Sequence, residues 1–371
     1  MKRLISITRV AVALMLFVAV VEVCARLDDR LSYQAPMWGP YSHETLYETD
    51  GLGKRGKPGA RYKKWQLNSL GYRGPELRDG TVRIVCFGAS ETFGLYESDG
   101  KEYPRQLESE LNARAGEERF QVVNVAYAGQ TLATATVRVP EILSKIRPQV
   151  AVIYPSLAAY VWLPWVPRKN SGWPAAAPAQ TATGFEWRIA DRGRGLMKAV
   201  LPALIQTKMR EYEVVRAASE YPVMDRVPEE NVARFRSDLL DLIVELRSRE
   251  VEPILVTHAT AFGQHPAELD RDLIVAWRKF YPMLREQGFI DMERRMNDAI
   301  REVAAEQKVA LVDAAREMPP GRAYFADFSH FTTVGAQLMA SKLSDVVYPV
   351  LQAGATAQEQ STIVGRAGVA R

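Results

Sequence analysis

Histidine and cysteine are scarce in this chain of 371 residues, at four and two. The thiols, Cys24 and Cys86, fall in two separate apolar stretches. No disulfide framework is available, so a hydrophobic core must hold the fold. There is no His-Glu-x-x-His, no paired-cysteine spacing and no EF-hand loop. The chain therefore carries no metal signature, and no cofactor is expected. Neither sign of charge dominates, since 48 Lys and Arg against 44 Asp and Glu leave a net +4. The densest basic stretch, with Lys54, Arg55, Lys57, Arg61, Lys63 and Lys64, has only Tyr62 and Trp65 as stacking aromatics. That excludes nucleic acid as the expected partner. It reads as a solvated loop, or more sharply as a patch for acidic polysaccharide or anionic headgroups. No internal repeat is visible, and 47% hydrophobic residues over this length suffice for one large domain.

The apolar pattern predicts an α/β fold: a doubly wound, flavodoxin-like parallel sheet of about five strands, with helices on both faces in three layers, α/β/α. Strands are expected near residues 82 to 87, 121 to 126, 149 to 155, 252 to 257 and 308 to 312. Amphipathic helices are expected near 104 to 113, 228 to 249, 267 to 285 and 292 to 306, with a last helix running from Thr333 toward Tyr348. The implied organisation is an export segment at 1–26, a lead-in at 27–80, a main domain at 81–353 and a disordered tail at 354–371. A Pro- and Trp-rich interval at 160–227 breaks the alternation and is a candidate lid or substrate platform.

The first strand ends in Gly88-Ala89-Ser90-Glu91-Thr92-Phe93-Gly94. A serine in the turn after a buried strand stands at the carboxyl edge of the sheet, where α/β folds present reactive groups. A nucleophile elbow would need glycine where Thr92 stands, and a phosphate-binding loop would need lysine where Leu95 follows Gly94. A helix-capping serine is the plain alternative. Near the other end, Asp327 precedes His330 by three residues. If that stretch is helical, both share a face, and Asp327 can hold Nδ1 of His330 while Nε2 stays free for Ser90. His258, at the end of the strand after Pro253, is a second histidine placed to line the crevice. Asp313 is the rival carboxylate, with an ordinary strand-end explanation.

These blocks resemble the SGNH hydrolases, also called the GDSL lipase and esterase family, of the membrane-tethered type. The likeness runs over residues 65 to 350: Gly88-Ala89-Ser90, then Asn124 to Gly129, then Asp327-x-x-His330 with Gly335 after it. The lead-in Asn68 to Glu76 is similar to what precedes the first block in many tethered members. The resemblance implies a Ser90, Asp327, His330 triad, with Ser90 and Gly129 as backbone donors of the oxyanion hole. Candidate pocket-lining residues are Ala158, the hydroxyls of Ser156 and Tyr160 as nearby substitute donors, and His258 from its place at a strand end. Two positions depart from the family pattern. The first-block aspartate is Ala89, and the third-block asparagine is Ala158. Loss of one oxyanion donor slows turnover by about a hundred- to a thousandfold.

Lys2, Arg3 and Arg9 precede an apolar run from Val10 to Val21, the arrangement of an export signal. Val23-Cys24-Ala25 offers a cleavage site, yet the stretch from Leu4 to Ala25 is also long enough to span a bilayer. In that case Arg9 and Glu22 snorkel to opposite interfaces. The expectation is a domain anchored in the bacterial inner membrane and facing the periplasm or exterior, with a cleaved secretory signal as alternative. The expected function is a serine esterase acting on an acyl ester, such as O-acetyl, of a cell-surface carbohydrate. The alternatives are an O-acyltransferase and a catalytically weakened carbohydrate-binding or assembly protein.

Overall fold

The computed structural model describes residues 2–162, 186–219, 221–263 and 271–369. Its first element, α1 (Lys2–Tyr33), continues past the expected boundary at residue 26 and stops only where Gln34 turns to φ +57, two residues before Pro36. Two hairpins follow: β1 (Tyr47–Asp50) with β2 (Gly53–Gly56), and β3 (Arg61–Tyr62) with β4 (Trp65–Gln66). The lead-in packs onto the main domain, because its Leu46, Tyr62 and Leu67 share a buried cluster with Phe93 and Ala126. Much of the basic stretch is neutralised internally. Lys54 pairs with Glu44, while Arg55 pairs with Glu48, Asp50 and Glu141.

The main domain alternates β5 (Val82–Gly88), α2 (Ser90–Phe93), α3 (Tyr103–Ala115), β6 (Phe120–Asn124), α4 (Leu132–Ile146) and β7 (Val150–Tyr154). After the interval come α5 (Arg188–Val200), α6 (Ala203–Ala218), α7 (Glu229–Arg247), β8 (Glu252–Val256), α8 (Arg271–Arg278) and α9 (Glu286–Gln307). The chain closes with β9 (Ala310–Val312), α10 (Ala314–Glu317) and α11 (Thr333–Val369). The sheet has five parallel strands in the order β6-β5-β7-β8-β9, the flavodoxin-like arrangement. Its strands are nearly continuous apolar runs because α3 and α11 pack together on one side while α4, α7 and α9 pack in series on the other. Cys86 sits mid-sheet opposite Asn124 and Val152, and its thiol is fully buried.

Helix α11 continues to Val369, into the stretch expected as a tail from residue 354. Two sequence expectations are corrected here. The helix expected over 267–285 is only α8, because Pro282 forbids a helix interior there and the chain turns before α9 starts. Helix α4 was not among those expected. Pro140 lies inside it on the exposed side, and a reciprocal capping box between Thr131 and Thr134 starts it. Of the candidate platform at 160–227, residues 163–185 with Trp165 and Trp173 lie outside the described residues.

Candidate active site

Strand β5 delivers Ser90 to the carboxyl edge of the sheet through a turn that admits no side chain at Gly88. A Cβ there would stand 2.0 Å from Thr92 Oγ1 and 2.8 Å from the Tyr154 carbonyl oxygen. That closeness folds α2 back over β7 and makes Ser90 its first residue. Gly94 ends α2 at φ +82, and a Cβ there would meet the Arg73 guanidinium at 2.6 Å. Arg73, from the lead-in, is buried, donates to the carbonyls of Phe93 and Gly94, and pairs with buried Glu102 at 3.2 Å. Asn124 fixes the other side, donating to the Thr92 carbonyl at 2.8 Å. Thus lead-in and second block both hold the serine turn.

His330 and Asp327 are brought together as expected, but by a different route. Residues 327–330 form a bend rather than a helical turn. Asp327 Oδ1 accepts the backbone N–H groups of Ser329 at 3.1 Å and of His330 at 3.0 Å, and both of its oxygens lie 2.9 Å from His330 Nδ1. A short Asx-type turn therefore does what a helix was expected to do. Burial alone would raise the Asp327 carboxyl, but the His330 ring and the two backbone donors hold it below its ordinary value. Burial would lower His330, yet its hydrogen bond to Asp327 and the charges of Glu91, Asp327 and Glu97 raise it. Tyr96 lies against the ring at 5.4 Å between centroids.

His330 Nε2 is buried and has no hydrogen-bond partner among the described residues. Ser90 is not bonded to it. The half-buried Ser90 instead donates from Oγ to Glu91 Oε2, the carboxylate one residue on, at 3.2 Å. Catalytic hydrogen bonds of this kind are often open before substrate binds.

Glu91 is the functional residue that sequence reasoning missed. Although it follows a serine at the start of a helix, where acids are ordinarily solvated, it is buried. Its Oε1 accepts the Ser329 hydroxyl at 3.0 Å and lies 3.6 Å from His258 Nε2. His258 in turn sets Nδ1 3.0 Å from Glu293, and Asn297 braces both His258 and Glu293. Burial works against a charged imidazole, but Glu293 and Glu91 overcome it and raise His258 to about 10. Burial also favours a neutral Glu91, and the paired imidazole of His258 with the nearby His330 overturns that and holds the carboxyl well below its ordinary range. Glu91 and Glu293 therefore face opposite ring nitrogens of one raised imidazole. A histidine at a strand end and an acid in an apolar block were its only sequence signals.

The remaining expected positions divide. Gly129 lies in an exposed turn at φ +84 after β6, on the same sheet edge as Ser90. Ser156 is half-buried just past β7, and Ala158 is buried in the following 3-10 turn, where it brings no polar group. Tyr160 is committed elsewhere: its hydroxyl donates to Asp238 at 2.9 Å, and its carbonyl accepts from Asn231. His258 reaches the site through Glu91 rather than by opening onto a pocket. Asp313 is taken up by Arg301, whose Nε and guanidinium nitrogen lie at 2.9 and 2.8 Å, and by Thr257 at 2.9 Å. No group of three or more metal-ligating side chains occurs among the described residues.

Solved structures with a similar chain path include an acetyl xylan esterase, at 15% identity over 71% of this chain and 98% of that one, with a TM-score of 0.41. A lipase/acylhydrolase from Enterococcus faecalis matches at 19% identity over 71% and 94%, with a TM-score of 0.41. A GDSL-like lipase from Bacteroides thetaiotaomicron matches at 12% identity over 76% and 93%, with a TM-score of 0.39. No family model matches the chain, and no curated protein matches it.

Proposed function

We propose that this chain is a serine ester hydrolase of the SGNH type, held at a membrane by α1 and acting on acyl groups, such as O-acetyl, of a cell-surface carbohydrate. The observation that carries the chemistry is the His330 ring: Asp327 closes off Nδ1, and Nε2 is buried, unpartnered and at the same sheet edge as Ser90.

Ser90 rotates away from Glu91 as an ester enters, and His330 Nε2 takes its proton while Oγ attacks the carbonyl carbon. Asp327 fixes the tautomer and stabilises the imidazolium that forms. The oxyanion faces the backbone N–H groups of Ser90 and Gly129, with no amide at position 158 to assist. That hole has one donor fewer than the family pattern, which sets turnover about a hundred- to a thousandfold lower. His330 then returns the proton to the departing alcohol, and water releases the acid.

Retention of α1 as an anchor is supported by Glu22 and Arg26. Glu22 accepts the first backbone N–H groups of α5, from Arg188 at 3.1 Å and Ile189 at 3.0 Å. Cleavage after Ala25 would remove that partner from a buried helix start. The substrate class is tested by incubating the full chain in detergent with O-acetylated polysaccharides and measuring released acetate. Release that disappears in Ser90→Ala supports the reading, and release that persists in Ser90→Ala contradicts it.

A further inference from the structure

Helix α1 is not a loose tether. Within Thr8–Tyr33 an 18-residue window has a mean hydropathy of 2.4 and is mostly uncovered by the rest of the chain. Glu22, Arg26 and Asp29 on the same helix are buried. Arg26 donates to Glu22 at 2.7 Å, to the Met37 carbonyl at 2.7 Å and to the Glu186 carbonyl at 2.8 Å. Arg188 and Arg192 of α5 reach Asp29 at 2.8 and 2.9 Å, and Arg192 also reaches Asp28 at 2.6 Å. A latch of buried charges therefore clamps α5 across the outer end of the apolar window. An element bonded to that end sits at the level where hydrocarbon gives way to headgroups.

The surface around the latch has the composition of that layer. On α5, Leu196 and Val200 follow Arg192 by one and two turns and so extend the stripe that faces α1. They are 66% and 71% exposed, and Met197 beside them is 57% exposed. Trp38 and Trp187, next to the two residues whose carbonyls Arg26 holds, are 69% and 51% exposed, and Arg26 stacks over the Trp38 ring at 5.5 Å. Val23, Leu27 and Leu31 continue an exposed apolar line along α1 itself. Half-exposed tryptophans beside an amphipathic helix at the end of a span are what the interfacial layer selects.

We propose that α5 lies in the headgroup layer of the lipid bilayer, with Leu196, Met197 and Val200 immersed and Trp38 and Trp187 in its aromatic belt, so that the domain is held at one fixed orientation to the membrane. This rests on the reading of α1 as a retained anchor.

The test uses the full chain, carrying Cys24→Ser, reconstituted at one copy per lipid nanodisc. An environment-sensitive fluorophore is placed in turn at Leu16→Cys in the span, Met197→Cys and Val200→Cys on α5, and Val244→Cys on α7, an exposed apolar control. Cys86 is fully buried and stays unlabelled. The expected result is blue-shifted emission and several-fold weaker iodide quenching at 197 and 200 than at 244. A lipid-buried signal at 16 with 197 and 200 as quenchable as 244 overturns the proposal while leaving the anchor intact. An aqueous signal at 16 overturns the anchor reading and the proposal with it. Single-copy discs exclude a second copy of the chain as the cover.

Discussion

His330 and His258 stand at the same edge of the sheet, and each has a carboxylate on Nδ1, Asp327 at 2.9 Å and Glu293 at 3.0 Å. They differ at Nε2. Neither Nε2 has a hydrogen-bond partner among the described residues, but that of His258 lies at ion-pair distance from the Glu91 carboxylate, 3.6 Å, whereas His330 meets a carboxylate only through Nδ1. A histidine with one acid is an oriented base, because its second nitrogen can still receive a proton. One between two acids is favoured as a cation, because both charges stabilise its protonated form. On the proposed reading the two rings are divided between proton transfer and architecture, and Glu91 is at ion-pair distance from His258. Through Ser329 and Ser90, Glu91 also ties the base loop to the serine turn.

Substitutions at the two rings should separate these roles. His330→Gln should lower ester turnover by about a thousandfold or more, measured as initial rates on an activated ester. It should cost less stability than the matching change at His258, and equal losses of rate in His330→Gln and His258→Gln would erase the distinction. His258→Gln leaves Glu91 and Glu293 buried without their cation and should cost about 3–5 kcal/mol by chemical denaturation.

The pH dependence sharpens the same contrast. His258 is raised to about 10 when folded, against about 6.5 unfolded. Its contribution is therefore complete below about 6.5 and is lost as pH climbs toward 10. Glu91 is lowered, so its contribution is present above the ordinary glutamate range and is lost on acidification. Thermal melts should show the highest stability between these limits and a decline on the alkaline side that His258→Gln removes. Turnover should rise with pH, with a midpoint above 6.5, since His330 is raised and must be neutral to act. The smallest effect is expected for Ser329→Ala, which deletes one hydrogen bond to Glu91 and should cost about 1 kcal/mol in stability.

The sheet was legible because parallel strands covered on both faces read as unbroken apolar runs, as in Ile84 to Phe87 and Val150 to Tyr154. The turn after β5 that carries Ser90 and the contact of Asp327 with His330 were legible because turn glycines and short acid-to-histidine spacings are local features. Glu91 was not, because nothing adjacent in sequence distinguishes a solvated first-turn acid from one that meets a histidine far along the chain. Tyr160 failed for the same reason, as its partner Asp238 lies on another helix. Glu22 was read as a snorkelling charge, since its partners in α5 are likewise remote.

The central claim is that Ser90 is made nucleophilic by His330 and not by the Glu91 beside it. The most direct measurement is intact-mass and peptide mapping after fluorophosphonate treatment of the wild type, Ser90→Ala, His330→Ala and Glu91→Gln. The account predicts one adduct, on Ser90, lost in Ser90→Ala and His330→Ala and retained in Glu91→Gln. A folded wild type that takes no label, or a Ser90 adduct that survives in His330→Ala, would contradict it.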